Sequence, residues 1–158
     1  MSLLYTYANS HQATGSVGAP ILSGFLAEPS FNVTILTRAT SKATFPPNVT
    51  IKRISDAFTL EELTSAFQGQ DAVVVATSTA QVTQGDLPFR FIDAAVAAGV
   101  KRLVPSEYGV DNLDPLARKS SKVYDAKGEM LDYLLKKAEE SKGAFTWTSF
   151  VCGSWIEW

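Results

Sequence analysis

The chain has one cysteine, one histidine and no basic tract, and each shortage removes a class of function. Cys152 alone cannot form an internal disulfide, and it reads as a small buried apolar residue near a strand end. Fourteen Lys and Arg against 16 Asp and Glu leave a net charge of −2 over 158 residues. No positive stripe is available for a nucleic-acid backbone, so no nucleic-acid contact is expected. No apolar run approaches the ~20 residues of a membrane-spanning helix, and the first residues lack a basic-then-apolar leader pattern. A cytoplasmic location is therefore the expectation, and the sequons at Asn32 and Asn48 read as chance matches. His11, in a polar stretch, reads as a loop residue rather than a catalytic one.

What is present is the composition of a folded domain, 46% hydrophobic and 19% charged. Residues 1–158 read as one domain, large enough to bury roughly 68–70% of its unfolded surface. Strand and helix signals alternate along it. Strands are expected at 3–8, 32–37, 49–54, 71–77, 100–105 and 146–151, and helices at 19–27, 59–67, 87–98 and 124–141. Thr59 with Glu62 three residues on is a capping box, and Gly69 and Gly99 close their helices. Such alternation predicts an α/β fold, a doubly wound parallel sheet of Rossmann-like type with ligand sites at the carboxyl ends of the strands.

Four segments at those ends bear chemistry. Thr14-Gly15-Ser16-Val17-Gly18 precedes the apolar helix that starts at Ala19. Glycines there let the backbone approach a pyrophosphate, and the helix N-terminus offers it unpaired N–H groups. A glycine-rich strand-to-helix turn without a ligand is the alternative. Gln12 stands where the first glycine of such a motif falls, so its side chain blocks the close approach unless the loop is shifted. Thr37-Arg38, with Lys42 nearby, comes next; Arg38 falls 20 residues after Gly18. A carboxylate here would accept from a ribose 2′-OH, whereas Arg grips a 2′-phosphate, which favours NADP(H) over NAD(H). The alternative is a solvated basic loop. The third segment runs from Lys101 to Gly109, where Pro105 ends a strand and polar residues emerge at the sheet edge. The fourth is Tyr124-Asp125-Ala126-Lys127.

On these residues the chain resembles the NmrA-like and isoflavone-reductase-like group, the atypical branch of the short-chain dehydrogenases/reductases. The matching pieces are TGSVGAPIL at 14–22, VTILTR at 33–38, GQDAVV at 69–74, IDAAVAAGVKRLVPSEYG at 92–109 and VYDAKGEMLDYL at 123–134. The resemblance implies an NADP(H)-dependent oxidoreductase acting on a small aromatic or carbonyl-type substrate. It implies that Thr14 to Gly18 hold the pyrophosphate and that Thr37, Arg38 and Lys42 hold the 2′-phosphate. Thr77, Ser78, Thr79, Pro105, Ser106 and Glu107 would line the nicotinamide side, with Lys127 as general acid/base. The ordinary Tyr-x-x-x-Lys pair is absent; the spacing here is Tyr-x-x-Lys. Lys127 as an exposed helix lysine is the other reading. Family members continue into a C-terminal half that forms the substrate pocket, so the chain reads as truncated after its Rossmann half. Apolar surface around Trp155 and Trp158 would then be exposed and favour self-association. A non-catalytic dinucleotide-binding regulator of the NmrA type, or an inactive fragment, is the alternative function.

Overall fold

The computed structural model describes residues 1–7, 17–47, 49–83 and 85–153. The expected turn at Thr14, Gly15 and Ser16 lies outside the described residues, as do His11, Gln12, Trp155 and Trp158. The first strand, β1 (Ser2–Tyr7), is a short apolar run, and α1 (Gly18–Ala27) follows it. The β-branched run β2 (Asn32–Arg38) leads through a Pro46-Pro47 loop to β3 (Thr50–Ile54). Then come α2 (Leu60–Phe67) and the continuously apolar β4 (Ala72–Ala76). Two helices, α3 (Thr79–Val82) and α4 (Leu87–Ala97), lead to the short β5 (Arg102–Val104). The chain goes on through α5 (Pro115–Ser120), α6 (Lys122–Glu140) and β6 (Thr146–Trp147).

All six strands pair in parallel in the order β3-β2-β1-β4-β5-β6. The expected doubly wound sheet is therefore the observed one. Because side chains alternate along a strand, one strand supplies both faces. Leu4, Leu36, Val73 and Leu103 join a core with Phe67, Phe91, Ile92 and Leu131, from α2, α4 and α6. Leu3, Tyr5, Ile35 and Val74 join a smaller core with Leu22 of α1. Burial on both faces explains why β4 reads AVVVA without polar breaks.

The helix termini follow their sequence signals. Thr59 caps α2 through a reciprocal box with Glu62, whose carboxylate also accepts from Ser55 N (3.1 Å) and Ser55 Oγ (2.6 Å). Pro115 opens α5, and the Asp114 carboxylate accepts from Leu116 N at 2.9 Å. Gly128 of α6 lies under a close approach. A Cβ there would sit 2.5 Å from Arg118 Nε, whose guanidinium crosses the helix to Asp125 (3.0 Å) and Asp132 (2.7 Å).

Two expectations are corrected. The last strand, expected over 146–151, stops at Trp147, and beyond it a single bridge joins Val151 to Gly109. Cys152 is exposed rather than buried. With the strand ended, Cys152 and Gly153 are tied back by main-chain bonds to Gly109 O at 3.0 Å, which leave the Cys152 side chain outside the core. Phe150 and Val151 beside it are exposed as well.

Four donors, from Ser55 and Thr59, hold the Glu62 carboxyl at about 2, below its ordinary value of 4.5. A carboxyl depressed on folding stabilises above its unfolded pKa and loses that contribution as pH falls towards its folded one. Thermal melts from about pH 5 down to about pH 2 should therefore fall more steeply for the wild type than for Glu62→Gln. Parallel curves would remove Glu62 from the acid response.

Candidate functional site

In a parallel sheet every strand points its carboxyl end to one edge. Here that edge collects the residues after β2, β4 and β5. The order reverses between β1 and β4, because β2 and β3 continue to one side while β4 and β5 continue to the other. Such a switch point opens a crevice outside the strand ends. Helix α1 starts at this edge with Val17 at its N-cap, in helical conformation and making no side-chain cap bond, and with Gly18 buried.

At the end of β2, Thr37 is fully buried, and among the described residues neither its Oγ1 nor the buried Arg38 Nε has a hydrogen-bond partner. The Arg38 guanidinium makes a long ion pair, 3.6 Å from Nη1 to Asp56 Oδ2. Asp56 also accepts from Thr40 Oγ1 at 2.6 Å. Arg53 Nη1 donates to Arg38 O (3.3 Å) and Ser41 O (3.0 Å), tying the loop after β2 to β3. Lys42 is exposed on that loop. Sequence reasoning missed Arg53 and Asp56. The signal for Arg53 was its place in the alternating run VTIKRI, which register sets opposite Thr37.

The ends of β4 and β5 form the other half of the edge. Ser106 Oγ donates to Thr77 O (3.0 Å) and accepts from Thr77 N (3.2 Å), a two-bond staple between the segments beyond both strands. Gln81 Oε1 accepts from Ser78 N (3.4 Å) and Oγ (3.2 Å), so the Ser78 hydroxyl is engaged in capping α3. Thr79 is exposed as the first residue of that helix. A small cavity lies between Thr77, Gln81, Pro105, Ser106 and Met130.

Beyond Pro105 the chain turns sharply, with Glu107 N donating to Pro105 O at 2.9 Å. Tyr108 then adopts φ +42°, a left-handed conformation costly for a bulky residue. That kink accompanies a buried polar cluster. Lys127 Nζ donates to Glu107 O at 2.7 Å, and Asn112 Nδ2 donates to Glu107 Oε2 at 2.7 Å. Burial pulls the Lys127 ammonium below its ordinary range, partly opposed by Glu107. Burial pushes the Glu107 carboxyl up, opposed by Asn112 and Lys127. The exposed reading of Lys127 is thus wrong: its side chain belongs to the interior. Thr77, Pro105, Ser106, Glu107 and Lys127 come together at this end of the edge, while Arg38 and Lys42 stand at the other.

Replacing Ser106 by Ala removes both bonds to Thr77 and leaves a partly buried N–H and C=O without partners. A loss of about 1–3 kcal/mol is expected, read from the urea midpoint. An unchanged midpoint would show that the staple is dispensable.

Residues 13–151 match the family model described as NAD(P)H-binding. Oxidoreductase aprR of Aspergillus flavus is 38% identical over 146 residues, covering 92% of this chain and 47% of that protein. The chain spans about half the length of this curated relative. The binary complex of leucoanthocyanidin reductase and NADPH from Vitis vinifera superimposes with a TM-score of 0.73 at 21% identity, covering 98% of this chain and 48% of that one. AtPrR2, solved with NADP+ and (+)pinoresinol, gives 0.67 at 23% identity, covering 94% and 48%. These two likenesses establish the shared fold. Together with the carboxyl-edge geometry, the match over nearly the whole length places this chain in the NAD(P)H-binding family.

Proposed function

We propose that the chain binds NADP(H) along the carboxyl edge of its sheet and serves the reduction of a small aromatic or carbonyl-type substrate. The observation that carries this reading is Arg38. It ends β2, and among the described residues its buried Nε has no partner and its guanidinium makes only a long ion pair to Asp56. A guanidinium so poorly compensated suits a phosphate, and the unpartnered Thr37 hydroxyl lies beside it in sequence. Lys42 on the loop adds a second cation. The pyrophosphate would meet the N-terminus of α1, with Thr14, Gly15, Ser16, Val17 and Gly18 as the approach. Leucoanthocyanidin reductase, which shares the fold, was solved with NADPH, and the 38%-identical relative is an oxidoreductase; both support the reading.

When bound, NADP(H) supplies or accepts a hydride; the rest is the work of this chain's own groups. Thr77, Ser78 and Thr79 from one side and Pro105, Ser106 and Glu107 from the other form walls fixed by the Ser106–Thr77 staple. Lys127 holds a proton at Nζ, next to the segment beyond β5. Its burial moves the ammonium towards neutrality, the direction a general acid/base requires. The fixed main-chain bond to Glu107 O orients that nitrogen.

Fluorescence titration tests the cofactor. NADPH should bind more tightly than NADH, and Arg38→Ala should weaken NADPH about tenfold to a hundredfold while changing NADH little, the loss of one charge-assisted pair. Equal affinities in the wild type would sink the 2′-phosphate assignment.

A further inference from the structure

The cluster of Glu107, Asn112 and Lys127 holds more than one proton-bearing group. Lys127 lies on α6, while Glu107 and Asn112 both come from the segment between β5 and α5. All three side chains are buried, at 9%, 3% and 1% exposure respectively. Lys127 Nζ reaches the Glu107 main-chain oxygen, not its carboxyl. The carboxyl is turned instead to Asn112, which takes Oε2 and leaves Oε1 buried with no donor among the described residues. Asn112 is held in turn by a second donation, to Val110 O at 3.2 Å. A buried carboxyl with one oxygen uncompensated is costly unless an opposite charge faces it.

We propose that Glu107 is a positioning residue for Lys127, its carbonyl fixing the ammonium while its carboxyl, clamped by Asn112, stands as the buried counter-charge. This rests on Lys127 being the proton-handling group. Asp111, next to Asn112, acts on Glu107 and opposes its ionisation. From α5 Arg118 lies across Gly128, but its guanidinium is engaged by Asp125 and Asp132. Lys127 Nζ reaches the main chain of Glu107 itself, which brings the carboxyl of that residue into the same buried cluster, where its charge opposes the effect of burial on Lys127. Removing the carboxylate while keeping the shape therefore takes away what favours the charged lysine. The Glu107 carbonyl remains, so the geometry of the ammonium survives.

The direct test is NMR titration of protein labelled with 13C in the lysine side chains, with the Lys127 signal identified by its loss in Lys127→Met. The Lys127 midpoint should lie below those of exposed lysines, fall further in Glu107→Gln, and return towards wild type in Glu107→Asp. A midpoint in Glu107→Gln equal to or above the wild-type value would overturn the proposal. A purely structural glutamate would leave that midpoint in place. Asn112→Ala supplies an independent reading through the carboxyl carbon of Glu107. Its midpoint should rise once its donor is gone, and an unchanged value would equally overturn the clamp. The enzymatic premise is read separately, by substrate-dependent NADPH consumption. If Lys127→Ala consumes NADPH at the wild-type rate, Lys127 is not the proton donor, whatever the titrations give.

Discussion

The ladder that β1 makes with β2 on one side and β4 on the other is the constraint from which the molecule follows. Residues 2–7 pair in register with 32–37, and residues 3–7 pair with 72–76. That pairing fixes strand direction at the centre of the sheet and brings the ends of β1, β2 and β4 level. Shifted by one residue, Leu4 and Val73 would exchange faces with Leu3 and Val74, and both cores would be lost. The placing of the strand ends thus rests on backbone hydrogen bonds.

The two cores cover the sheet unequally. Helices α2, α4 and α6 pack one face, with Phe67 and Phe58 meeting Phe91 at ring-centroid distances of 6.3 and 5.9 Å. On the opposite face the core centres on α1. The helix carrying Lys127 belongs to the better-packed layer, anchored by Met130, Leu131 and Leu134 directly after it. Burying a lysine and a glutamate together costs desolvation that hydrogen bonds offset only when the geometry is fixed. Packing immediately downstream supplies that fixity, as does the Arg118 bridge from α5 to α6.

Much of this architecture was legible in the chain. The run at 71–77 announces a strand buried on both faces, and Thr59 with Glu62 announces a helix start, because both signals are local and strong. Arg38 was legible for the same reason: a fixed spacing from a helix start puts it at a strand end. What escaped depends on partners distant in sequence. Helices α3 and α5 are of 4 and 6 residues, too short to show a helical period. The run at 146–151 has the composition of a strand, yet ladder pairing with β5 ends at Trp147. Lys127 looks like its neighbours Lys122 and Lys136, and only the fold turns one of them inward. Asn112 has no signature at all, since its partner is a carboxyl five residues away across a kink at Tyr108.

The two ends of the carboxyl edge are built on opposite electrostatic principles, and this bears on how a dinucleotide-sized ligand would be read along it. At the end of β2 the groups are charged and partly solvated: Arg38, Lys42, Arg53 and Asp56, whose attractions are weakened by screening over a Debye length of about 8 Å. At the ends of β4 and β5 the groups are buried, and hydrogen bonds of 2.7–3.2 Å carry the arrangement. Charge at the first end would therefore discriminate ligands by their own charge and respond to salt. Geometry at the second would discriminate by shape. A single parallel sheet provides both because its strand ends share an edge while its covering helices do not.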